Sequence, residues 1–497
     1  MDLTRMLESL RALQTARSAY YHAMAVLQTD GETAAPAGAA EARGETMAFL
    51  DQKCYELLVN DQTRELLDGL WEKKDELDSD TLRQVELLRK ELNDFTRIPM
   101  EEVVEYSRLR NNATAAWVQS KANNDYASFE PYLEKLIAYK RRLAAYLDPD
   151  RPAYDVLLDD YEKGMNTEVL DEFFSMLRKE IVPLIEKVRA LPPKPDFISK
   201  FCSVESQRAF SNYLMDVIGL DKYRCSIAET EHPFTSGMNR HDVRITTHYY
   251  TDAMLSSMYS VIHEGGHAQY ELGIAEEYQG SALSGTPSMG MHESQSRFYE
   301  NIIGHDAAFL AHVMPKMQEL FPEAMEGVNE HDLFLAANYV EPSLIRIEAD
   351  QVTYPLHIMV RYELEKQLIA GTLTTKELPQ KWNELYKEYL GVDVPNDTKG
   401  VLQDTHWAGG MFGYFPTYAL GSAYANQILH AMKKDLDVDE LLKTGDIAPI
   451  TEWLNDHIHR WGNRYDPAEL LEKATGEKFN PAYYVEHLKK VISDLLA

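Results

Sequence analysis

The sequence predicts a mainly α-helical protein with one small β-sheet, and three observations support this fold class. Apolar residues recur at helical spacing through most of the 497 residues. The segments that interrupt this pattern are short and rich in Gly, Pro and other small residues, as loops are. Residues 242–250, DVRITTHYY, are instead rich in β-branched and aromatic residues, which favours a strand.

The helical segments follow one another with few breaks. Their periodicity predicts helices at 1–28, 40–75, 80–146, 167–190, 253–272, 332–370 and 423–435. The composition of the interruptions predicts loops at 30–45, 191–197, 280–290 and 406–416.

One further helix is marked at both ends. Thr374 and Glu377 have the spacing of a capping box, and Gly391 follows the last apolar position. The apolar face between them has helical offsets and consists of Leu378, Trp382, Leu385, Tyr386 and Tyr389. We therefore predict a helix that ends just before Gly391.

Composition narrows the classes of function. A hydrophobic content of 44% can build a large core. The 50 basic and 80 acidic residues give a net charge of -30, which argues against a nucleic-acid or anionic-membrane partner. The cysteines are too few for a disulfide framework: Cys54, Cys202 and Cys225. Since we find neither a secretion signal nor a stretch of about 18 apolar residues, we expect a cytoplasmic protein that does not enter a membrane.

The segment VIHEGGHAQYEL contains the motif H-E-x-x-H. His263 and His267 are four residues apart in a helical segment, so both imidazoles project from one face toward one metal ion. Glu264 points elsewhere around this helix and would act as general base on a metal-activated water, as in a zinc peptidase. The alternative is that the histidines merely lie on a hydrogen-bonded helix face.

Two adjacent glycines inside this helix need an explanation. Gly265 and Gly266 each cost about 1 kcal/mol relative to alanine in a helix. We expect a substrate strand or a facing helix to pack against the bare backbone, and a local kink is the alternative.

A catalytic zinc usually has three protein ligands and a water, so a third ligand is needed. Glu271 lies eight residues after His263, about 12 Å along the helix axis, which is too far. Glu293, in MGMHESQSRFYENII, is our choice, because a helix-loop-helix return would bring it to the histidines. The alternative for Glu293 is an ion pair with Arg297 at i+4, and His292 could orient Glu293 or contact substrate.

The strand predicted at 242–250 directly precedes the metal motif. From this position we expect it to be the edge to which an extended substrate adds by backbone hydrogen bonds.

Six ordered sequence blocks resemble those of the carboxypeptidase Taq family of metallocarboxypeptidases. They are HPF at 232–234, DVRIT at 242–246, HEGGH at 263–267, HES at 292–294, IRIEAD at 345–350 and GVLQDTHW at 400–407. None of them departs from the family pattern, whereas residues 1–200 share only a loosely similar loop, DGETAAPAGAAEAR.

The resemblance implies a two-lobed helical metallopeptidase with a deep groove and a small β-sheet beside the active site. It also implies Zn²⁺, with Co²⁺ as a possible substitute, and a homodimer that removes single amino acids from peptide C-termini with broad specificity. We treat 1–497 as a single catalytic unit. Its parts are a helical lobe and groove wall at 1–230, a zinc-site core at 231–420 and C-terminal helices at 421–497.

An exopeptidase must bind the free terminal carboxylate, which a guanidinium matches with two hydrogen bonds. Arg346, in IRIEAD, is the first candidate, and Arg244, on the predicted strand, is the second. Because Asp350 lies four residues after Arg346, a structural ion pair on one helix face is the alternative. The candidate substrate-binding set is completed by His232, Asp242 and His292.

The tetrahedral intermediate needs donors for its oxyanion. His406 and the aromatic residues after it resemble the place where related peptidases keep a histidine and tyrosines for this task. We therefore propose His406 with Tyr418 or Tyr414, although aromatic residues in a Gly-rich segment often only pack. Asp404 could orient His406 or cap a turn.

Two other functions compete with a carboxypeptidase. One is an endo-acting oligopeptidase on the same scaffold, which would still cleave peptides whose C-terminus is amidated. The other is a non-enzymatic peptide-binding scaffold stabilised by zinc, although structural zinc sites usually contain cysteines, and none lies near HEGGH.

Overall fold

The computed structural model describes residues 2–189 and 191–496, and most of them are helical. The first helices are α1 (Leu3–Thr33), α2 (Ala40–Leu58), α3 (Asp61–Glu72), α4 (Ser79–Arg97), α5 (Met100–Asn123), α6 (Tyr126–Leu147) and α7 (Ala153–Leu158). The next are α8 (Thr167–Glu180), α9 (Val182–Val188), α10 (Val204–Val217), α11 (Met254–Gly273), α12 (Met289–Arg297), α13 (Ala307–Leu320) and α14 (Glu330–Ala337). The last are α15 (Tyr354–Ala370), α16 (Leu378–Leu390), α17 (Pro416–Met432), α18 (Val438–Thr444), α19 (Ala448–His457), α20 (Pro467–Thr475) and α21 (Ala482–Leu496).

Caps and a proline divide the longest predicted helices. The segment predicted at 80–146 forms three helices, because Pro99 precedes α5 and Asn124, in the left-handed conformation with φ 53°, ends it. The segment predicted at 40–75 is divided at Asn60, whose side chain accepts a backbone hydrogen bond and caps α3.

The prediction of one helix at 332–370 is wrong between residues 338 and 353. Between α14 and α15 the chain is irregular apart from a short 3₁₀ turn at Arg346–Glu348. Pro342 lacks a backbone donor, and the Asp350 carboxylate accepts hydrogen bonds from three backbone N–H groups that a helix would otherwise use. Arg346 and Asp350 therefore do not share a helix face, and the ion pair expected from their spacing has no structural basis.

The helix α16 agrees with its prediction. Thr374 and Glu377 exchange hydrogen bonds just before it, and Gly391, at φ 68°, ends it.

The sheet lies beside α11 and has three strands in the order β1-β3-β2: β1 (Cys225–Glu229), β2 (Thr235–Asn239) and β3 (Asp242–Thr247). The predicted strand is β3, but it is not an edge, because β1 pairs with it in parallel and β2 pairs with it antiparallel. The edge beside α11 is β2 instead. Both outer strands escaped prediction, because CSIAE and TSGMN are short and poor in β-branched residues.

Apolar side chains form two clusters. The larger one takes residues from α5 through α21 and surrounds the metal motif. The smaller one joins the first helices and consists of Met6, Leu10, Leu58, Leu66, Leu67, Leu70, Val85, Leu88 and Leu92. The predicted fold class, helical with a small sheet, is confirmed. No helix in the described part of the chain is both long and apolar enough to span a membrane.

Candidate metal centre and active site

Three side chains from α11 and α12 converge on one point. Nε2 of His267 lies 3.4 Å from Oε2 of Glu293, and Nε2 of His263 lies 3.8 Å from the same oxygen. All three ligand atoms lie within 4.8 Å of one another. In a tetrahedral site with bonds of about 2.1 Å, neighbouring ligand atoms are about 3.4 Å apart, so separations of 3.4 and 3.8 Å suit a divalent metal held by these three side chains.

The two glycines of the motif let other parts of the chain approach α11 closely, α12 at Gly266 and the end of α10 at Gly265. A Cβ on Gly266 would lie 2.5 Å from the carbonyl oxygen of Gln295 and 2.7 Å from Cα of Ser296, both in α12. A Cβ on Gly265 would collide with Ile218. A facing helix, rather than a substrate strand, therefore packs against the backbone of α11 at Gly266.

Glu293 is held from three directions. Arg297 Nε donates to Oε1 at 2.7 Å, and Ser296 Oγ lies 3.1 Å from Oε2. On the third side α17 approaches so closely that a Cβ on Gly421 would lie 2.5 Å from Glu293 Cγ. The ion pair with Arg297, which was the alternative for Glu293, thus exists together with the approach to the histidines, and it uses Oε1 while Oε2 faces them.

A second carboxylate, which was not predicted, lies behind the histidines. Glu300 lies in a π-helical turn, Phe298–Gly304, and accepts hydrogen bonds from Nδ1 of His263 at 2.7 Å and from Nη1 of Arg297 at 3.2 Å. This bond holds a proton on Nδ1, so Nε2 is the nitrogen of His263 that would face a metal. Glu300 lies seven residues after Glu293, a helical spacing that could have indicated it.

Charges at this centre shift several pKa values. Burial favours a neutral imidazole, yet the carboxylates of Glu293 and Glu300 outweigh it and raise the pKa of His263 to about 9. Burial lowers the pKa of His267 to about 3. Although burial opposes ionisation, Arg297 and the histidines hold the pKa of Glu293 well below its ordinary value. The carboxylate is therefore anionic, as a ligand must be.

Glu264 lies against the edge strand. Its Oε2 accepts a hydrogen bond from Thr235 Oγ1 of β2 at 2.6 Å. Burial raises the pKa of Glu264, although the neighbouring His263 opposes this. A carboxylate with a raised pKa next to a metal site can accept a proton from water and hold it.

His292 makes no hydrogen bond to the carboxylate of Glu293, whose orientation was one of the two roles suggested for it. Its Nε2 lies 3.0 Å from Oε1 of Glu271, and its ring stacks on His267 with centroids 4.4 Å apart. Glu271, which we excluded as a ligand, lies outside the metal cluster.

Arg346 belongs to a buried cluster of charges. Its Nε and Nη2 donate to Asp404 at 3.1 and 2.9 Å, and its Nη1 donates to Tyr354 Oη at 3.0 Å. Arg361, which was not among the predicted site residues, donates to the same aspartate at 2.6 Å and is fully buried. Asp404 therefore binds two arginines, and it makes no hydrogen bond to His406, contrary to one of the two expectations for it.

This cluster adjoins the metal centre. The guanidinium carbon of Arg346 lies 5.1 Å from the ring centroid of Tyr418, and that of Arg297 lies 4.7 Å from the ring centroid of Tyr354. Tyr354 thus touches both Arg346 and the arginine that holds Glu293.

The predicted oxyanion donors lie together at the start of α17. Nε2 of His406 lies 3.2 Å from Tyr418 Oη, and the rings of Tyr414 and Tyr418 are 5.2 Å apart. Tyr418 lies one turn before Gly421 on α17, on the face that contacts Glu293. Burial lowers the pKa of His406 to about 4 and raises the pKa of Tyr418, so both are neutral at neutral pH.

The remaining candidates lie around the sheet. Arg244 and Asp242 form a two-bond ion pair on β3, with distances of 2.8 and 2.7 Å. His232 is exposed just before β2. Thr246 Oγ1 accepts the backbone N–H of Phe234 at 2.8 Å, which ties the segment HPF to β3.

Comparison with known proteins agrees with this geometry. The sequence model of the carboxypeptidase Taq (M32) metallopeptidase family matches residues 9–492 of this chain. Carboxypeptidase 1 of Bacillus subtilis is 41% identical over 481 residues, which cover 96% of each chain. Thermostable carboxypeptidase 1 of Pyrococcus furiosus is 35% identical over 477 residues, covering 94% of this chain and 95% of that one. The crystal structure of the M32 carboxypeptidase of Deinococcus radiodurans R1 superposes with a TM-score of 0.96 at 33% identity, covering 99% of both chains.

Proposed function

Because the chain belongs to the carboxypeptidase Taq (M32) family of metallopeptidases and is a metallocarboxypeptidase, we propose that it uses Zn²⁺ to remove single amino acids from peptide C-termini with broad specificity. His263, His267 and Glu293 would hold the metal. A non-enzymatic scaffold, one of the alternatives, is contradicted by this family membership.

The excess positive charge of the cluster around Arg346 is the main support for the exopeptidase proposal. Two guanidiniums share one carboxylate, Asp404, and the side chains are 0 to 11% exposed, which leaves one buried positive charge. A further buried carboxyl, Glu365, is bonded to Tyr154, Trp407 and the backbone of Gly413 instead. A buried charge needs a partner, and the carboxylate of a peptide C-terminus would supply it.

Arg346 still has donors for such a carboxylate. Within the described residues it donates three of its five N–H groups, to Asp404 and Tyr354. Arg361 is less suited, because its donors face Asp404, Gln403, Tyr386 and the carbonyl of His357. We therefore assign recognition to Arg346 and the support of Asp404 to Arg361.

The proposed chemistry divides among few residues. When bound, Zn²⁺ lowers the pKa of a water and polarises the scissile carbonyl. Glu264, held by Thr235, takes the proton of the attacking water and passes it to the leaving amine. Tyr418, with His406 at its hydroxyl and Tyr414 beside it, donates to the oxygen that becomes negative.

Product analysis tests the function. A mixed set of peptides, each with a free or an amidated C-terminus, would be incubated with the enzyme and sequenced by mass spectrometry. We expect ladders shortened one residue at a time from the free C-terminus, abolished by a chelator and restored by Zn²⁺. An acetylated N-terminus should make no difference. Internal cleavage of the amidated peptides would instead support an endo-acting oligopeptidase.

Several further properties belong to the same proposal. Activity with Co²⁺ is expected, because it accepts the same nitrogen and oxygen ligands. The three cysteines are buried and form no disulfide, which agrees with a cytoplasmic enzyme. We further propose that 1–497 acts as one catalytic unit and as a homodimer, and that the ion pair of Arg244 and Asp242, with His232, contributes to peptide binding at the sheet.

A further inference from the structure

The two metal-binding histidines are held in different ways. A metal-ligating histidine usually donates its second ring N–H to a carboxylate or carbonyl, which fixes the ring. His263 does so through Glu300. Nδ1 of His267 is buried and finds no hydrogen-bond partner among residues 2–189 and 191–496. Another contact must therefore keep the ring of His267 in place.

His292 supplies that contact. Its ring lies over the ring of His267 with centroids 4.4 Å apart and planes 18° apart. It also stacks on Tyr270, one turn further along α11, with centroids 5.7 Å apart and planes 19° apart. The imidazole of His292 thus covers neighbouring rings on the face of α11 that carries His267.

His292 is itself held at its other edge. Its Nε2 donates to Oε1 of Glu271 at 3.0 Å, and this carboxylate is confined by β2, where a Cβ on Gly237 would lie 2.6 Å from Oε2. Tyr270 is held in turn by His459, 5.1 Å away, whose Nε2 lies 2.8 Å from Oε1 of Gln295. The stack therefore has a fixed position at both ends.

We propose that His292 is a positioning residue that orients His267 for the metal through ring stacking, in place of the missing hydrogen bond. The proposal rests on the proposed metal site and assigns to the first residue of the block HES a role distinct from substrate contact. The flat ring of His292 is the required feature, and the bond to Glu271 anchors it.

Metal affinity tests the proposal without relying on peptide cleavage. Zn²⁺ dissociation constants would be measured by chelator competition for wild type, His292→Phe and His292→Leu, together with the visible spectrum of each protein loaded with Co²⁺. His292→Leu should weaken Zn²⁺ binding by about tenfold, the lower end of what loss of an orienting contact costs, and should change the Co²⁺ spectrum. His292→Phe keeps a ring and should stay within about threefold of wild type.

Two controls separate the possible outcomes. His457→Leu removes an imidazole stacked on Trp453, 3.9 Å away in α19, and should leave metal affinity unchanged. Glu271→Gln keeps an acceptor for Nε2 of His292 and should have a smaller effect than His292→Leu. Equal losses in His292→Phe and His292→Leu, or no loss in His292→Leu, would overturn the proposal. If wild type itself bound no stoichiometric Zn²⁺, the proposed metal site would fail instead.

Discussion

Replacing Arg346 by methionine should remove the preference for a free C-terminus while leaving the protein folded. Asp404 keeps Arg361 as a partner at 2.6 Å, so the substitution leaves no unpaired buried carboxylate. Methionine also fills much of the space that the arginine stem occupies. The variant therefore isolates the loss of the spare positive charge.

The size of the effect follows from the two N–H groups that remain on Arg346. A hydrogen bond to a charged group contributes about 1.5 to 3 kcal/mol, so losing two of them should lower kcat/KM by about 10² to 10⁴. An amidated substrate lacks the carboxylate and should lose far less. The ratio of kcat/KM for an N-blocked dipeptide to that for its C-terminal amide is therefore the measurement.

Arg244→Met is the matched comparison, because Arg244 is the second candidate and already pairs with Asp242. We expect Arg244→Met to keep the ratio of acid to amide, and Arg346→Met to reduce it toward one. An unchanged ratio in Arg346→Met would refute the assignment, and a collapse in Arg244→Met alone would move the carboxylate site to β3.

Three further predictions concern the base, the helix contact and a buried acid. Glu264→Gln should lower kcat by about 10² to 10⁴ while Zn²⁺ content, measured by atomic absorption, stays the same; joint loss of metal and activity would contradict a role as general base. Gly266→Ala forces α11 away from α12 and should lower the free energy of unfolding in urea by about 1 to 3 kcal/mol and weaken Zn²⁺ binding. Its control is Gly285→Ala, where a Cβ meets no atom within 4 Å, and equal stabilities would contradict the close contact. Burial raises the pKa of Glu162 from 4.5 to about 7, so between these values the unfolded chain binds fewer protons than the folded protein, and this carboxyl makes stability fall as pH rises. Between about pH 4.5 and about pH 7, the free energy of unfolding in urea should fall by up to about 3 kcal/mol less in Glu162→Gln than in wild type. An identical pH dependence of the two proteins would show that Glu162 is not protonated in the fold.

Local signals in the sequence led to the proposed metal ligands, which the structure brings close together. The spacing of His263 and His267 marked one helix face, and the distance along that helix excluded Glu271. The search then led to Glu293, which the structure brings within 3.4 Å of His267. Gly391 and the reciprocal pair of Thr374 and Glu377 likewise depend on neighbours in the chain, and they were predicted correctly.

The partners of these residues could not be predicted in the same way. Arg361 meets Asp404 across 43 residues, and Thr235 meets Glu264 across 29. Such pairs depend on how helices and strands pack, and no local pattern encodes that packing. The failed helix at 332–370 has a similar cause, because the Asp350 side chain bonds to Glu341, nine residues away, as well as to its own turn.

The separate small core of the first helices has a consequence for motion. That cluster holds nine buried apolar residues, and α1, which contributes to it, also packs against β2 next to Glu264. Polar contacts tie it to the rest, among them Arg83 with Asp466 at 2.6 Å and the backbone of Ala282 with Gln14 at 2.8 Å. Such a unit opens at a lower free energy than the main core, so its amides should exchange with deuterium first. We therefore expect the first helices, which pack beside the edge strand β2, to open locally while the proposed ligands on α11 and α12 stay in place.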